Sequence, residues 1–283
     1  MKKKHFFLAA VLAAGLVFSA CTGAASQQPP VYSNLSEESI RYDLDSLLST
    51  AGVPDSQRHV FFQHVDQFNA VMKPQELTQG FTPVGTEKYD PYQVQDAWME
   101  AYPDFLGYNC RITAFSLYGD GFMTVPSDPK TTDPTMLEFD LGALQEDDSA
   151  FPGREQQFLT FFEAVPTDAT KDVSVHAEKM LQAWQQRGIS FREDPRIRMI
   201  NVVFHMQEED SNLLYIGHSG ILLPTPDGDL WFVEKLAFQE PYQVVKLQNR
   251  RQLQSYLMEK YDLDENQPVA KPFILENDSL MRT

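Results

Sequence analysis

The chain reads as an α+β protein, with helices first and an antiparallel sheet after them. Two patterns predict this. Apolar residues recur at helical spacing as far as about Arg187, and from Arg198 onward β-branched and aliphatic runs are separated by turn residues. A third observation sets the domain count: there are no internal repeats, low-complexity tracts or second composition regime, so residues 34–283 are expected to share one core.

Taken in order, the first helix begins with Ser33 or Ser36 as cap, carries Ile40, Leu44, Leu47 and Leu48, and ends near Gly52-Val53-Pro54. A second runs from Asp55 with Val60, Phe61, Val65, Phe68 and Val71-Met72. A third follows Pro91 through Val94, Ala97, Trp98 and Ala101, and stops before Pro103. Gly107-Tyr108-Asn109-Cys110 opens a fourth, which ends at Gly119. Asp120 to Ser149, rich in Asp, Pro and Thr, reads mostly as irregular loop, its Asp140, Asp147 and Asp148 solvated. Helices follow over 154–164 and 173–187. Strands are expected at 198–206, 213–223, 230–238 and 242–247, then a helix at 249–261 and an extended tail at 271–276.

Ahead of this lies a different kind of segment. Lys2 to Lys4, an apolar run from Phe6 to Phe18 and the close Ser19-Ala20-Cys21 form a secretory signal peptide over 1–20. The run is too short for a permanent membrane span. Its ending resembles the lipobox of bacterial lipoproteins, which implies a lipid on Cys21, a flexible tether over 21–33 and attachment to the extracytoplasmic face of a membrane. Loss of Lys2, Lys3 and Lys4 takes the formal charge from −17 to −20, which argues against nonspecific nucleic-acid binding. Oligomeric state is not legible.

With Cys21 acylated, Cys110 is the only thiol left, so no internal disulfide is expected. Asn109 is a preferred N-cap residue, and Ile112, Phe115 and Leu117 continue an apolar stripe. Cys110 then occupies the first helical position, where free N–H groups and the helix dipole favour a thiolate. The plainer alternative is a cysteine that fills a gap in the core.

His218 lies in Tyr215-Ile216-Gly217-His218-Ser219-Gly220, on a face expected to hold Leu214, Ile216, Gly220 and Leu222, with Gly217 and Gly220 leaving open space near the ring. Glu234 lies among Leu230, Phe232, Leu236 and Phe238, a costly place for an unpaired carboxylate. The turn Thr225-Pro226-Asp227-Gly228 suits a three-residue hairpin loop with Gly228 left-handed. That loop pairs Thr225 with Asp229, sets Glu234 opposite Gly220 and makes His218 its diagonal neighbour. A two-residue loop would put the two on opposite faces.

Cysteine, histidine and carboxylate in these places have the roles of nucleophile, base and orienter in a thiol hydrolase. The arrangement resembles the papain-like superfamily, nearest the NlpC-type cell-wall peptidases and amidases, which implies a cysteine-bearing helix packed on the sheet and a peptide or cell-wall substrate. That family usually reads Asp-Cys-Ser-Gly at the nucleophile, where this chain has Asn109-Cys110-Arg111-Ile112. Its third residue is usually His, Asn or Gln, where this chain has Glu234. Asn109-Cys110-Arg111, Tyr215 to Gly220, Phe232 to Phe238, Gln239 to Gln243 and Lys271 to Asn277 are also similar to a bacterial lipoprotein family described as domain of unknown function 4300, which implies no activity.

Tyr108, Asn109, Gly220 and Gln243 are candidates to line a cleft. His205 is an alternative base with no carboxylate partner. His59 and His64 fall on different helix faces, His176 and His205 lack ligand-spaced partners, and no metal or other cofactor is expected. Two functions therefore stay open: a cysteine hydrolase, or a non-catalytic lipoprotein that binds a ligand or partner on a degenerate form of the same scaffold.

Overall fold

The structure, a computed structural model, describes residues 28–281 except 120, 128–133 and 209–210; the expected signal peptide and Cys21 lie outside the described residues. In chain order the elements are β1 (Val31–Ser33), α1 (Glu38–Ala51), α2 (Asp55–Val71), β2 (Thr82–Pro83), α3 (Pro91–Ala101), α4 (Cys110–Tyr118), β3 (Met123–Thr124) and α5 (Glu138–Glu146). There follow α6 (Glu155–Phe162), β4 (Val165–Pro166), α7 (Val173–Gln186), β5 (Ser190–Phe191), β6 (Arg198–Glu208), β7 (Ser211–Pro224), β8 (Leu230–Lys235), β9 (Tyr242–Leu247), α8 (Arg250–Tyr261), β10 (Phe273–Glu276) and β11 (Ser279–Leu280). The protein is α+β, as its two hydrophobic periods predict.

One antiparallel sheet runs β11-β10-β6-β7-β8-β9-β1-β2, with β4 beside the far end of β7; β3 and β5 pair separately. Alternation along the strands sorts side chains onto two faces. Ile221, Leu223, Trp231, Val233 and Val244 join the large core under the helices that precede the sheet, α4 lying on β7 and β8. Leu222, Leu230, Phe232, Val245 and Leu247 meet Leu253, Tyr256 and Leu257 of α8 on the other face. Burial on both faces explains why β8 has no exposed residue.

The β7–β8 hairpin forms in the expected register. Thr225 N–H donates to Asp229 O at 2.9 Å, Gly228 N–H donates to Thr225 O at 3.0 Å, and Gly228 has φ +93°. Gly220 stands opposite Glu234. The caps at Asp90, Asn109, Asp172 and Asn249 each take an N–H of the first helical turn on the side chain.

Three expectations give way. Neither Ser33 nor Ser36 caps α1, whose N-cap is Glu37; Ser33 belongs to β1, and the Ser36 hydroxyl donates to Thr78 O. The chain enters the sheet at Val31, inside the expected tether, because β1 pairs with β9 and β2 through its backbone. The segment 120–149 contains α5, whose few buried apolar positions, Ala143 and Leu144, are accompanied by a buried Asp140. A charge on the inward face breaks the apolar period that marks a helix in sequence.

Candidate active site

Cys110 is the first residue of α4, as the Asn109 cap implies: Asn109 Oδ1 accepts from Ile112 N–H at 3.1 Å. Both neighbours of the cysteine grip Asp140. Asn109 Nδ2 donates to Asp140 Oδ1 at 2.8 Å, and Arg111 donates through Nε at 3.0 Å and Nη2 at 2.5 Å to its two oxygens. Asp140 is fully buried, so the expected solvated aspartate is instead the anchor of the helix start.

This helix start meets β7 where β8 has left the sheet. β8 ends at Lys235, so Gly217 and Ser219 lie beyond the last β7–β8 pair. In place of a strand, α4 supplies the partners: Arg111 Nη1 donates to Ile216 O at 3.1 Å, the Cys110 thiol to Gly217 O at 3.8 Å, and the Ser219 N–H bonds the sulfur.

A β-bulge aims the histidine. Val202 pairs with His218 and Val203 with Ile216, leaving Gly217 as the extra residue. The bulge resets the alternation. Leu214 and Ile216 point into the helical core, so they do not share the His218 face as simple alternation predicts; His218 and Leu222 face α8. The open space expected at the glycines is also filled. A Cβ on Gly217 would meet Phe204 at 2.5 Å, and one on Gly220 would meet Phe232 at 2.4 Å.

On the α8 face, His218 Nε2 donates to Glu234 Oε2 at 2.5 Å. Glu234 Oε1 accepts from Gln243 Nε2 at 2.7 Å and from the Tyr256 hydroxyl, and Gln243 Nε2 lies 3.0 Å from that hydroxyl. With Nε2–H committed to a carboxylate, Nδ1 is the nitrogen that carries the lone pair in the neutral ring and the second proton in the imidazolium. Nδ1 is buried without an aligned hydrogen-bond partner, and the thiol is the group with which the free side of the ring interacts.

The electrostatics favour charge separation. Burial pushes the Cys110 thiol up, but the His218 charge and hydrogen bond, Arg111 and the Ser219 N–H outweigh it, and the net shift is down. Burial pushes His218 down, yet the thiolate and Glu234 raise it to about 9. Burial raises Glu234, and His218, Lys260 and Tyr256 bring it below its ordinary value. All three groups move toward thiolate, imidazolium and carboxylate.

The site is enclosed. Cys110 is 5 % exposed, and His218 and Glu234 are each 1 % exposed. The Tyr261 ring, at the end of α8, stacks on His218 at 5.0 Å and 30°, with Phe232 edge-on at 6.2 Å on the same imidazole. Phe232 is fully buried and Tyr261 is half-buried, so solvent lies beyond Tyr261. The four cleft candidates are buried too and have structural duties. Tyr108 donates to Asp147 O, Asn109 caps α4, Gly220 admits Phe232, and Gln243 clamps Glu234.

The other histidines among the described residues stay apart from this group. His205 is held by Asn212 and the Ala270 N–H, and its ring lies tilted against that of His176, which is held by Thr167 and Thr170. His64 is buried against Tyr108 and Ser149, and His59 is exposed on the same helix. Among the described residues no group of three or more His, Cys, Asp or Glu is arranged to hold a metal ion.

Sequence reasoning missed Arg111, Asp140, Tyr256 and Lys235. Only Lys235 left a signal, a lysine inside a strand otherwise wholly apolar or paired. It is fully buried, its Nζ donating to the carbonyls of Ala237 at 2.8 Å, Phe238 at 3.0 Å and Glu240 at 2.6 Å.

The fold and the site together define an α+β protein with a buried cysteine–histidine–glutamate group at a helix N-terminus. The chain belongs to the family described as Domain of unknown function (DUF4300), which matches residues 31–281. Comparison with curated proteins and with solved structures returned no match. No helix among the described residues is long and apolar enough to cross a membrane.

Proposed function

We propose that this protein is a papain-like cysteine hydrolase, anchored by lipid on Cys21 at the extracytoplasmic face of a membrane, that cleaves an amide or thioester in a peptide or cell-wall fragment. The anchor rests on the sequence alone. The observation that carries the chemistry is the His218 imidazole, bound through Nε2 to Glu234 and turned through its other side to a thiol at the start of α4.

The Cys110 thiolate would attack the substrate carbonyl, forming a C–S bond and a tetrahedral oxyanion. Of the first N–H groups of α4, those of Ile112 and Thr113 go to Asn109, which leaves those of Cys110 and Arg111 for the oxyanion. Collapse breaks the bond to the leaving group, which takes the proton from His218 Nδ1. Neutral His218 then accepts a proton from water, hydroxide attacks the thioester, and the thiolate departs with the acid product formed and imidazolium restored. Glu234 holds the ring and stabilises its cationic form throughout. Tyr261 must swing aside for substrate to enter.

The burial of all three side chains favours a second reading, a non-catalytic ligand- or partner-binding lipoprotein in which the group is a core polar network. Hydrolysis of peptides, thioesters and peptidoglycan fragments separates the two. The hydrolase reading expects turnover by wild type, none by Cys110→Ala, and an acyl adduct on Cys110 by mass spectrometry. Well-folded wild type without turnover or adduct on any of these substrates supports the binding reading instead.

A further inference from the structure

Lys235 follows Glu234 in β8 but points to the opposite face, where it is fully buried. Three carbonyl oxygens surround its Nζ, and the Phe68 and Tyr242 rings lie 3.9 and 5.2 Å away. A neutral amine has two N–H groups to donate and an ammonium has three, so this cradle is built for the charged form. The three carbonyls belong to the turn that leads from β8 to β9, and that turn takes the chain out of the sheet. Its departure leaves Gly217 and Ser219 free to receive Cys110.

Charge balance gives the lysine a second duty. Thiolate, imidazolium and carboxylate together carry one net negative charge in a site closed to water. Arg111 bears on the thiol, but Asp140 already matches its charge. Lys235 is fully buried, with Glu240 and Cys110 as the negative groups that bear on it; burial pushes its ammonium well below the ordinary range, and those charges and the three carbonyls oppose that push.

We propose that Lys235 is a positioning residue of the site: its ammonium moulds the turn that clears the docking place of Cys110 and sets a positive charge within reach of the buried thiolate. This rests on the hydrolase reading only through the charged thiol. The charged and titratable groups that bear on the pair are His218, Arg111 and Tyr261 around the thiol and Glu240 and Tyr242 around the lysine.

The test is the pH profile of iodoacetamide alkylation of Cys110 in wild type and Lys235→Met. In the folded variant the midpoint should move up by about one pH unit, an approximately tenfold loss of rate at pH 6. A folded Lys235→Met whose profile superimposes on wild type overturns the proposal and leaves the hydrolase reading standing. A wild-type thiol with an ordinary midpoint ends both. Should Lys235→Met not fold, lysine ¹³Cε shifts in the intact wild type decide: Lys235, marked by the ring-current shifts of Phe68 and Tyr242, should be an ammonium at pH 7 and should titrate at lower pH in Cys110→Ser. A neutral Lys235 at pH 7 overturns the proposal.

Discussion

Two buried carboxylates flank the thiol, and they are held in opposite ways. Asp140 is gripped by Arg111 and Asn109, and Glu234 by His218, Gln243 and Tyr256. A guanidinium keeps its proton at every accessible pH, so the Asp140 pair can only fix geometry. An imidazole gains or loses its proton near neutrality, so the Glu234 pair can move one. The molecule thus places a static ion pair behind its thiol and a titratable one in front of it. The difference separates holding the thiol from tuning its charge.

The largest break in this comparison is Asp140→Asn. It leaves the 14 %-exposed Arg111 side chain without its counter-charge, and removing one partner of such a pair costs about 3–5 kcal/mol. Chemical denaturation should read that loss, with a fall in thiol reactivity following only from the loosened helix start.

Glu234→Gln should cost less, about 1–3 kcal/mol. It should do what the Asp140 variant does not, raising the pH midpoint of thiol alkylation, because the amide no longer stabilises the imidazolium.

The pH dependence of stability sharpens the contrast further. His218, raised to about 9 from an ordinary 6.5, contributes stability that is fully present below 6.5 and fades as pH rises through about 9. Cys110, lowered from an ordinary 9.0, contributes stability that is present above 9.0 and fades as pH falls through its folded value. Where the pH lies above both 6.5 and the folded Cys110 value and below about 9, the two slopes cancel, because folded and unfolded chains each hold one proton on the pair. The difference in unfolding free energy between wild type and a Cys110→Ser/His218→Gln double variant should therefore be flat over that window. Toward pH 5.5 it should fall by at most about 1.4 kcal/mol per pH unit. A steady climb across the window contradicts the pairing.

The smallest effect on charge belongs to Tyr261→Ala. Removing the ring over His218 should speed alkylation several-fold, more for a bulky reagent than for iodoacetamide, and leave the midpoint in place. An equal rate for both reagents in both proteins would show that Tyr261 does not govern access.

The two halves of the site also differ in how far the sequence discloses them. His218 and Glu234 belong to one hairpin whose turn residues set the register, so their meeting is legible from Thr225 to Gly228. The capped position of Cys110 is legible from Asn109 for the same local reason. Asp140 lies 29 residues beyond Arg111 in a segment with little apolar period, and Tyr256 reaches Glu234 from a helix 22 residues away. Tertiary packing alone makes those contacts. The bulge at Gly217 is the instructive miss. A glycine in a strand reads as open space beside the His218 ring, whereas it re-aims the next residue and admits Phe204.

The central claim is that Cys110 and His218 rest as thiolate and imidazolium. The most direct measurement is the pH dependence of the thiolate absorbance near 240 nm, wild type minus Cys110→Ser, in the folded protein. The account predicts a thiolate signal already present at neutral pH, with a midpoint below the ordinary 9.0 that moves up in His218→Gln. A thiol that ionises at or above 9.0 in wild type, unmoved by loss of His218, would contradict it.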